Sequence, residues 1–181
     1  MRAEVNRADR LPRSASSRVD KYLVPRWCLR PITGIENKVV EWNIYVDPHA
    51  AAVVFNSGAP ITLVPLDATN DVPLTLEFYK RLERDCTTAV AEFVYQALAA
   101  QEAHVGSGSY YLWDPLAAAV VSEEDVATFQ TIPLLVIEEE GPAASGRTLE
   151  REAGSSIRVA VTADRARFEP LFLDTINGRL P

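Results

Sequence analysis

The dipeptide Asp47-Pro48, set just ahead of an unbroken apolar run, constrains this chain more than any other feature. Asp at a helix cap followed by Pro at the first helical position is a strong start signal. Pro lacks only an N–H that the first turn cannot use, and its φ is already helical. The run Ala50-Ala51-Ala52-Val53-Val54-Phe55 is apolar nearly all round, so the helix from Asp47 to about Asn56 is expected to be buried. Ser57-Gly58-Ala59-Pro60 stops it. Ile61-Thr62-Leu63-Val64-Pro65-Leu66 then reads as a buried strand with Pro65 near its end. Helix, short Gly turn and apolar strand make the second half of a βαβ crossover. Just upstream, Glu41 and Asn43 stand two residues apart, and on an extended segment both point the same way. A polar pair before a helix start is where open α/β folds place ligand groups, and it equally suits a solvated loop.

The rest of the chain continues the alternation. Pro73 to Asp85 reads as a helix with Leu74, Leu76, Phe78, Tyr79 and Leu82 on its apolar side. Thr87 to about Ala103 reads as a second, presenting Val90, Phe93, Val94, Ala97 and Leu98. The Gly/Ser loop His104–Ser109 lacks the preceding strand of a phosphate-binding loop. Asp114-Pro115 repeats the Asp-Pro junction ahead of another apolar helix, where Asp114 is either a cap or a group facing a ligand. Thr131 to Glu138 is expected as a strand. Arg147–Glu150 and Ile157–Val161 suggest a hairpin region, and Ala163 to Ile176 a closing amphipathic helix.

A chain of 181 residues suffices for one domain with a sizeable core. The net charge of -7 argues against binding nucleic acid, whose phosphates need a positive field, but not against an uncharged nucleoside. Cys28 and Cys86 form neither a metal set nor a disulfide framework, so a reduced, cytoplasmic setting is expected. No stretch is apolar and long enough to span a bilayer, and the first residues lack the apolar core of a signal peptide. Residues 1–33 are Arg- and Ser-rich without helical or strand period, and a flexible segment is expected there, followed by a domain over 34–181.

Together, Glu41-Trp42-Asn43-Ile44-Tyr45-Val46-Asp47-Pro48, Val64-Pro65-Leu66-Asp67-Ala68-Thr69 and Leu112-Trp113-Asp114-Pro115-Leu116-Ala117 resemble the inosine-uridine preferring nucleoside hydrolase family. Gly146-Arg147-Thr148 and Val159-Ala160-Val161 extend the likeness, which runs from about Gly34 to Gly178 and corresponds to the C-terminal part of a family member. The resemblance implies an α/β fold: an incomplete Rossmann-like open sheet with flanking helices and a small C-terminal β-hairpin region. It also implies an N-glycosyl hydrolase that cleaves ribonucleosides to ribose and free base with bound Ca2+. Its transition state resembles an oxocarbenium ion, so carboxylates near the ring and a grip on the ribose hydroxyls are needed.

By the resemblance, Glu41 and Asn43 are ribose-hydroxyl binders, Asp114 is the late calcium ligand, and Asp67 and Thr69 are structural. Three departures stand beside these. The family's N-terminal Asp-rich motif is absent, so Asp114 alone leaves the calcium site incomplete. Trp113 occupies the place where many members carry a His that protonates the leaving base; Trp donates no proton there but can stack on a base. The family's upstream ribose contact is not recognisable in residues 1–33. An N-terminally truncated hydrolase is therefore expected, with the activity of the chain alone open. The alternative is a non-catalytic remnant or interaction module that needs a partner chain to complete its sheet. The expected ligand is a small-molecule nucleoside, with neither nucleic acid nor membrane as partner, and a homo-oligomer is an open alternative.

Overall fold

The computed structural model describes residues 40–138 and 145–180; the Arg-rich segment 1–33 and the acidic turn at 139–142 lie outside the described residues. Eleven elements follow in order among them: α1 (Trp42–Val46), α2 (Pro48–Phe55), β1 (Thr62–Leu63), α3 (Leu66–Thr69), α4 (Leu76–Arg84), α5 (Ala89–Ala99), α6 (Trp113–Ser122), β2 (Ala127–Val136), β3 (Thr148–Glu150), β4 (Ser155–Ala163) and α7 (Arg165–Ile176), with short 3-10 turns after α5 and after α6. No helix among the described residues is long and apolar enough to cross a membrane.

The sheet has the order β1-β4-β2-β3. Thr62 and Leu63 pair parallel with Arg158 and Val159 of β4, while β2 runs antiparallel to both β4 and β3. The parallel pair requires a crossover, and α3 to α6 lie within it. Alternation along β4 sends Ile157 and Val159 to one face and Ala160 to the other. On the first face Ile132 and Leu134 of β2 meet Val40, Ile44 and Phe55 from α1 and α2. On the second, Ala160 joins a larger core of Phe78, Leu82, Leu116, Val120 and Phe168 from α4, α6 and α7. The result is the expected α/β open sheet with helices on both faces.

Several boundaries and faces differ from the expectation. The Asp47 side chain caps α2 by accepting the Ala50 N–H at 2.9 Å, but α2 is not buried all round: Val53 and Val54 are 56% and 53% exposed. The apolar run after it yields only two strand residues, because Pro65 cannot donate to the ladder and instead precedes α3. α4 starts at Leu76 behind the Thr75 cap, leaving Leu74 buried ahead of it and Leu76 exposed. α5 spans Ala89–Ala99 and turns Ala91, Val94 and Leu98 inward, with Val90 and Phe93 facing out. Its rotation is set by Thr88, whose Oγ1 accepts the Ala91 N–H and donates to the Ile176 carbonyl. β2 begins at Ala127, earlier than the expected Thr131, because those residues find partners in Thr162 and Ala163 across a register shift at Thr128/Phe129.

Candidate functional site

Glu41 is the N-cap residue of α1, in an extended backbone conformation, and its carbonyl accepts the Tyr45 N–H at 2.8 Å. Its side chain does not cap its own helix. Oε1 instead accepts the N–H of Leu66, the first residue of α3, at 2.5 Å. The first N–H groups of a helix have no partner within it, so this bond satisfies one of them and ties the start of α1 to the start of α3.

The carboxyl faces a small hollow between α1 and the sheet. Its walls are Ile44 of α1, Leu63 of β1, Ile132 and Leu134 of β2 and Val159 of β4, with Thr148 of β3 as the other polar side chain. The space open to the centre of a water molecule is about 20 Å³, enough for one or two waters and far below the size of a nucleoside. Removal of the carboxyl from water among aliphatic walls raises its pKa from 4.5 to about 7; the Leu66 N–H favours the charged form, and the neighbouring Asp67 charge opposes it.

Asn43 does not share this position. The chain enters a helix at Trp42, and at 3.6 residues per turn two residues are rotated by about 200°. Asn43 is exposed while Glu41 turns inward, so the expectation that both point the same way is corrected. Trp113 and Asp114 open α6. Asp114 is exposed in the first turn, where the helix dipole favours a negative charge, and it does not cap the helix. Trp113 is half-buried, edge-on to Tyr110 at 4.9 Å and tilted against Tyr111 at 5.8 Å. Its Nε1 is buried with no hydrogen-bond partner among the described residues, as is Oγ1 of Thr69.

The structure thus bonds Glu41 to Leu66 and sets it on the same hollow as Thr148. Trp113 and Asp114 stand on α6, which packs against α3. Sequence reasoning missed two parts of this arrangement. The Leu66 N–H is a backbone group with no sequence signature, and Thr148 belonged to a quoted motif but nothing local aimed it at Glu41. His49 pairs with Glu138 at 2.7 Å on the exposed side of α2.

A calcium ion takes about six to eight oxygen ligands. Among the described residues no three His, Cys, Asp or Glu side chains converge as a metal site would require. Asp114 alone does not supply such a set, so the described residues do not fit the ion.

The inosine-uridine preferring nucleoside hydrolase profile matches residues 32–170. This chain belongs to that family. The inosine-uridine preferring nucleoside hydrolase of Leishmania major is 32% identical over 155 residues, covering 80% of this chain and 48% of that protein. Among solved structures, the inosine-uridine preferring nucleoside hydrolase from Bacillus anthracis superposes with a TM-score of 0.68 at 31% identity, covering 80% of this chain and 45% of that one. The purine-preferring ribonucleoside hydrolase from Gardnerella vaginalis superposes with a TM-score of 0.63 at 33% identity, covering 78% and 47%. The chain therefore spans about half the length of these nucleoside hydrolases, while the family match takes in most of its own length.

Proposed function

We propose that this chain provides the sugar-binding side of a site that hydrolyses the N-glycosidic bond of ribonucleosides. The observation that carries the reading is the Glu41 carboxyl, pinned by Leu66 N–H at the edge of an otherwise aliphatic hollow, in a chain of the nucleoside hydrolase family. The order of Glu41-x-Asn43, Leu66-Asp67-Ala68-Thr69 and Trp113-Asp114 supports taking the matched stretch as the later part of the family's domain.

In the reaction the bond from C1′ to the base nitrogen breaks, water oxygen adds to C1′, and the two water protons end on the sugar hydroxyl and the base. Oε1 of Glu41 is engaged with Leu66, so the other oxygen takes a ribose hydroxyl. The hollow excludes the whole nucleoside, so ribose rests against it with one hydroxyl at the carboxyl. As a carboxylate, Glu41 also opposes the positive charge that grows on the ring. By the family pattern Asn43 belongs to the sugar site as well, but α1 turns it about 200° from Glu41, so Glu41 alone of the pair takes the ribose here, and Trp113 lies against the leaving base. Asp114 is the late ligand that the family pattern implies for calcium, but no step runs through a metal, because the described residues do not assemble its ligands.

Calorimetric titration with inosine, uridine and adenosine tests the sugar site. Binding is expected, weakened at least about tenfold by Glu41→Gln at pH 8 and by loss of the ribose hydroxyls in dideoxy analogues, the effect of removing one hydrogen bond to a charged group. Binding indifferent to both changes overturns the reading. Ribose release in the same samples tests the chemistry, and its absence removes the hydrolytic part.

A second reading, an interaction module completed by another polypeptide or another copy, is supported by the exposed Trp42, Val46, Val53 and Val54 on α1 and α2. A monomer by sedimentation at high concentration removes the second copy, and cooperative urea unfolding of that monomer removes the need for any partner chain.

A further inference from the structure

We infer that Gly146 is a positioning residue for Glu41: the Ser145-Gly146 turn that leads into β3 sets how closely α1 lies on the sheet, and so how deeply the carboxyl enters its hollow. The inference rests on Glu41 being the sugar contact, and it adds the part of the chain that places it.

Gly146 is buried beneath α1 and has φ +88, a left-handed conformation that costs glycine little. A Cβ built on it meets Val40 Cγ1 at 2.9 Å and the Ile44 carbonyl oxygen at 3.0 Å. Those two residues bracket Glu41, one position before it and three after, and both are buried. The Ile44 oxygen is backbone, so a methyl group at 146 cannot be met by a side-chain rotation alone. Something has to give by a few tenths of an ångström, and because Gly146 is tied to the sheet by its N–H to Ile137, α1 is the part that yields, carrying Glu41 with it.

The glycine is itself held. Its N–H donates to the Ile137 carbonyl, and the Ile137 N–H donates to the Arg147 carbonyl, closing the hairpin end on both sides. Ser145 Oγ donates to the Glu138 carbonyl at 2.8 Å. Two residues beyond Gly146, Thr148 lines the hollow opposite Glu41. The carboxyl is thus fixed from two directions: α3 holds its oxygen through Leu66, and the hairpin limits the approach of the helix that bears it.

Two other glycines separate this role from mere stability. Gly178 also has a left-handed φ, +64, but a Cβ there meets nothing within 4 Å. Gly58 has a left-handed φ of +75, and a Cβ there likewise meets nothing within 4 Å. The three alanine variants therefore share backbone strain, and only one crowds the helix that bears Glu41.

The readout is the titration of the Glu41 side-chain carboxyl carbon by NMR in the full chain labelled at glutamate, assigned by loss of the signal in Glu41→Gln. Asp67 on α3 is the charged neighbour that acts on this carboxyl. With water admitted to the hollow, the Gly146→Ala midpoint is expected to fall by about one pH unit or more toward the ordinary carboxylate value. Gly178→Ala and Gly58→Ala are expected to leave it in place. A wild-type midpoint in Gly146→Ala, or an equal shift in either control, overturns the proposal.

If Gly146→Ala fails to fold, Val40→Ala decides. It thins the packing between α1 and Gly146 without any φ cost and opens the buried seat of the helix to water, so it is expected to lower the midpoint in the same direction; an unchanged midpoint overturns the proposal. The measurement needs no nucleoside, so a chain that binds none still answers it. Conversely, a fixed midpoint leaves the sugar-site reading standing and removes Gly146 from it.

Discussion

Replacing Glu41 by Gln removes an ionisable group while keeping an acceptor for the Leu66 N–H. The native carboxyl titrates at about 7, against 4.5 for the exposed group that the unfolded chain presents. Between those values the folded state binds the extra proton, so wild-type stability is fully present below about pH 4.5 and is lost as pH rises through 7. At about 1.36 kcal/mol per pH unit the gap amounts to roughly 3 kcal/mol of stability lost by pH 8. Gln does not titrate and escapes that loss. In urea unfolding at pH 4.5, 6, 7 and 8, Glu41→Gln is expected to match wild type at the acid end and to exceed it by about 3 kcal/mol at pH 8. The variant should therefore be the more stable protein under the very conditions where it binds sugar less well. A difference that does not change with pH would refute the argument that burial of this carboxyl raises its pKa. A Gln variant that is less stable throughout would show that the carboxylate's bond to Leu66 outweighs its desolvation.

Two further substitutions test the frame around the site. Phe78→Ala empties the centre of the larger core, where the ring lies 5.9 Å from Phe172, and should cost about 3–5 kcal/mol in urea unfolding. Glu169→Ala strands Arg81 and Arg165, which it bonds at 2.9 and 2.6 Å; because both guanidinium groups keep some access to water, a loss of about 2 kcal/mol by the same measurement is expected.

What the sequence made legible was local. Asp47-Pro48 announced α2, and the side chain does cap the helix as the pair predicts. The β-branched run around Val159 announced β4. The helix before Ala99 was legible as a helix but not in its orientation. Two stripes of that segment have helical spacing, Val90/Phe93/Ala97 and Ala91/Val94/Leu98, and both are apolar. The choice between them comes from Thr88 bonding the Ile176 carbonyl and from the backbone N–H of Thr87 bonding Asn177, contacts about 90 residues away in the chain. Nothing within the segment encodes them. The first half of β2 was hidden for the same reason, since its strand character comes from pairing with the end of β4.

The site divides along the same line. Residue types were readable at 41, 43, 113 and 114, because carboxylate, carboxamide and indole are local facts. Their directions were not. Glu41 and Asn43 share a face only if the backbone is extended, and α1 instead coils because Val40 and Ile44 fold onto Ile132, Leu134 and Val159. That same collapse carries Glu41 out of water and presents it to Leu66 N–H. Formation of the short helix, rotation of Asn43 away from Glu41 and elevation of the Glu41 pKa are therefore consequences of one packing event between α1 and the sheet. A perturbation that loosens α1 on the sheet should reverse the last of these, which is why crowding at Gly146 and thinned packing at Val40 are both expected to act on a carboxyl that neither residue contacts through hydrogen bonds.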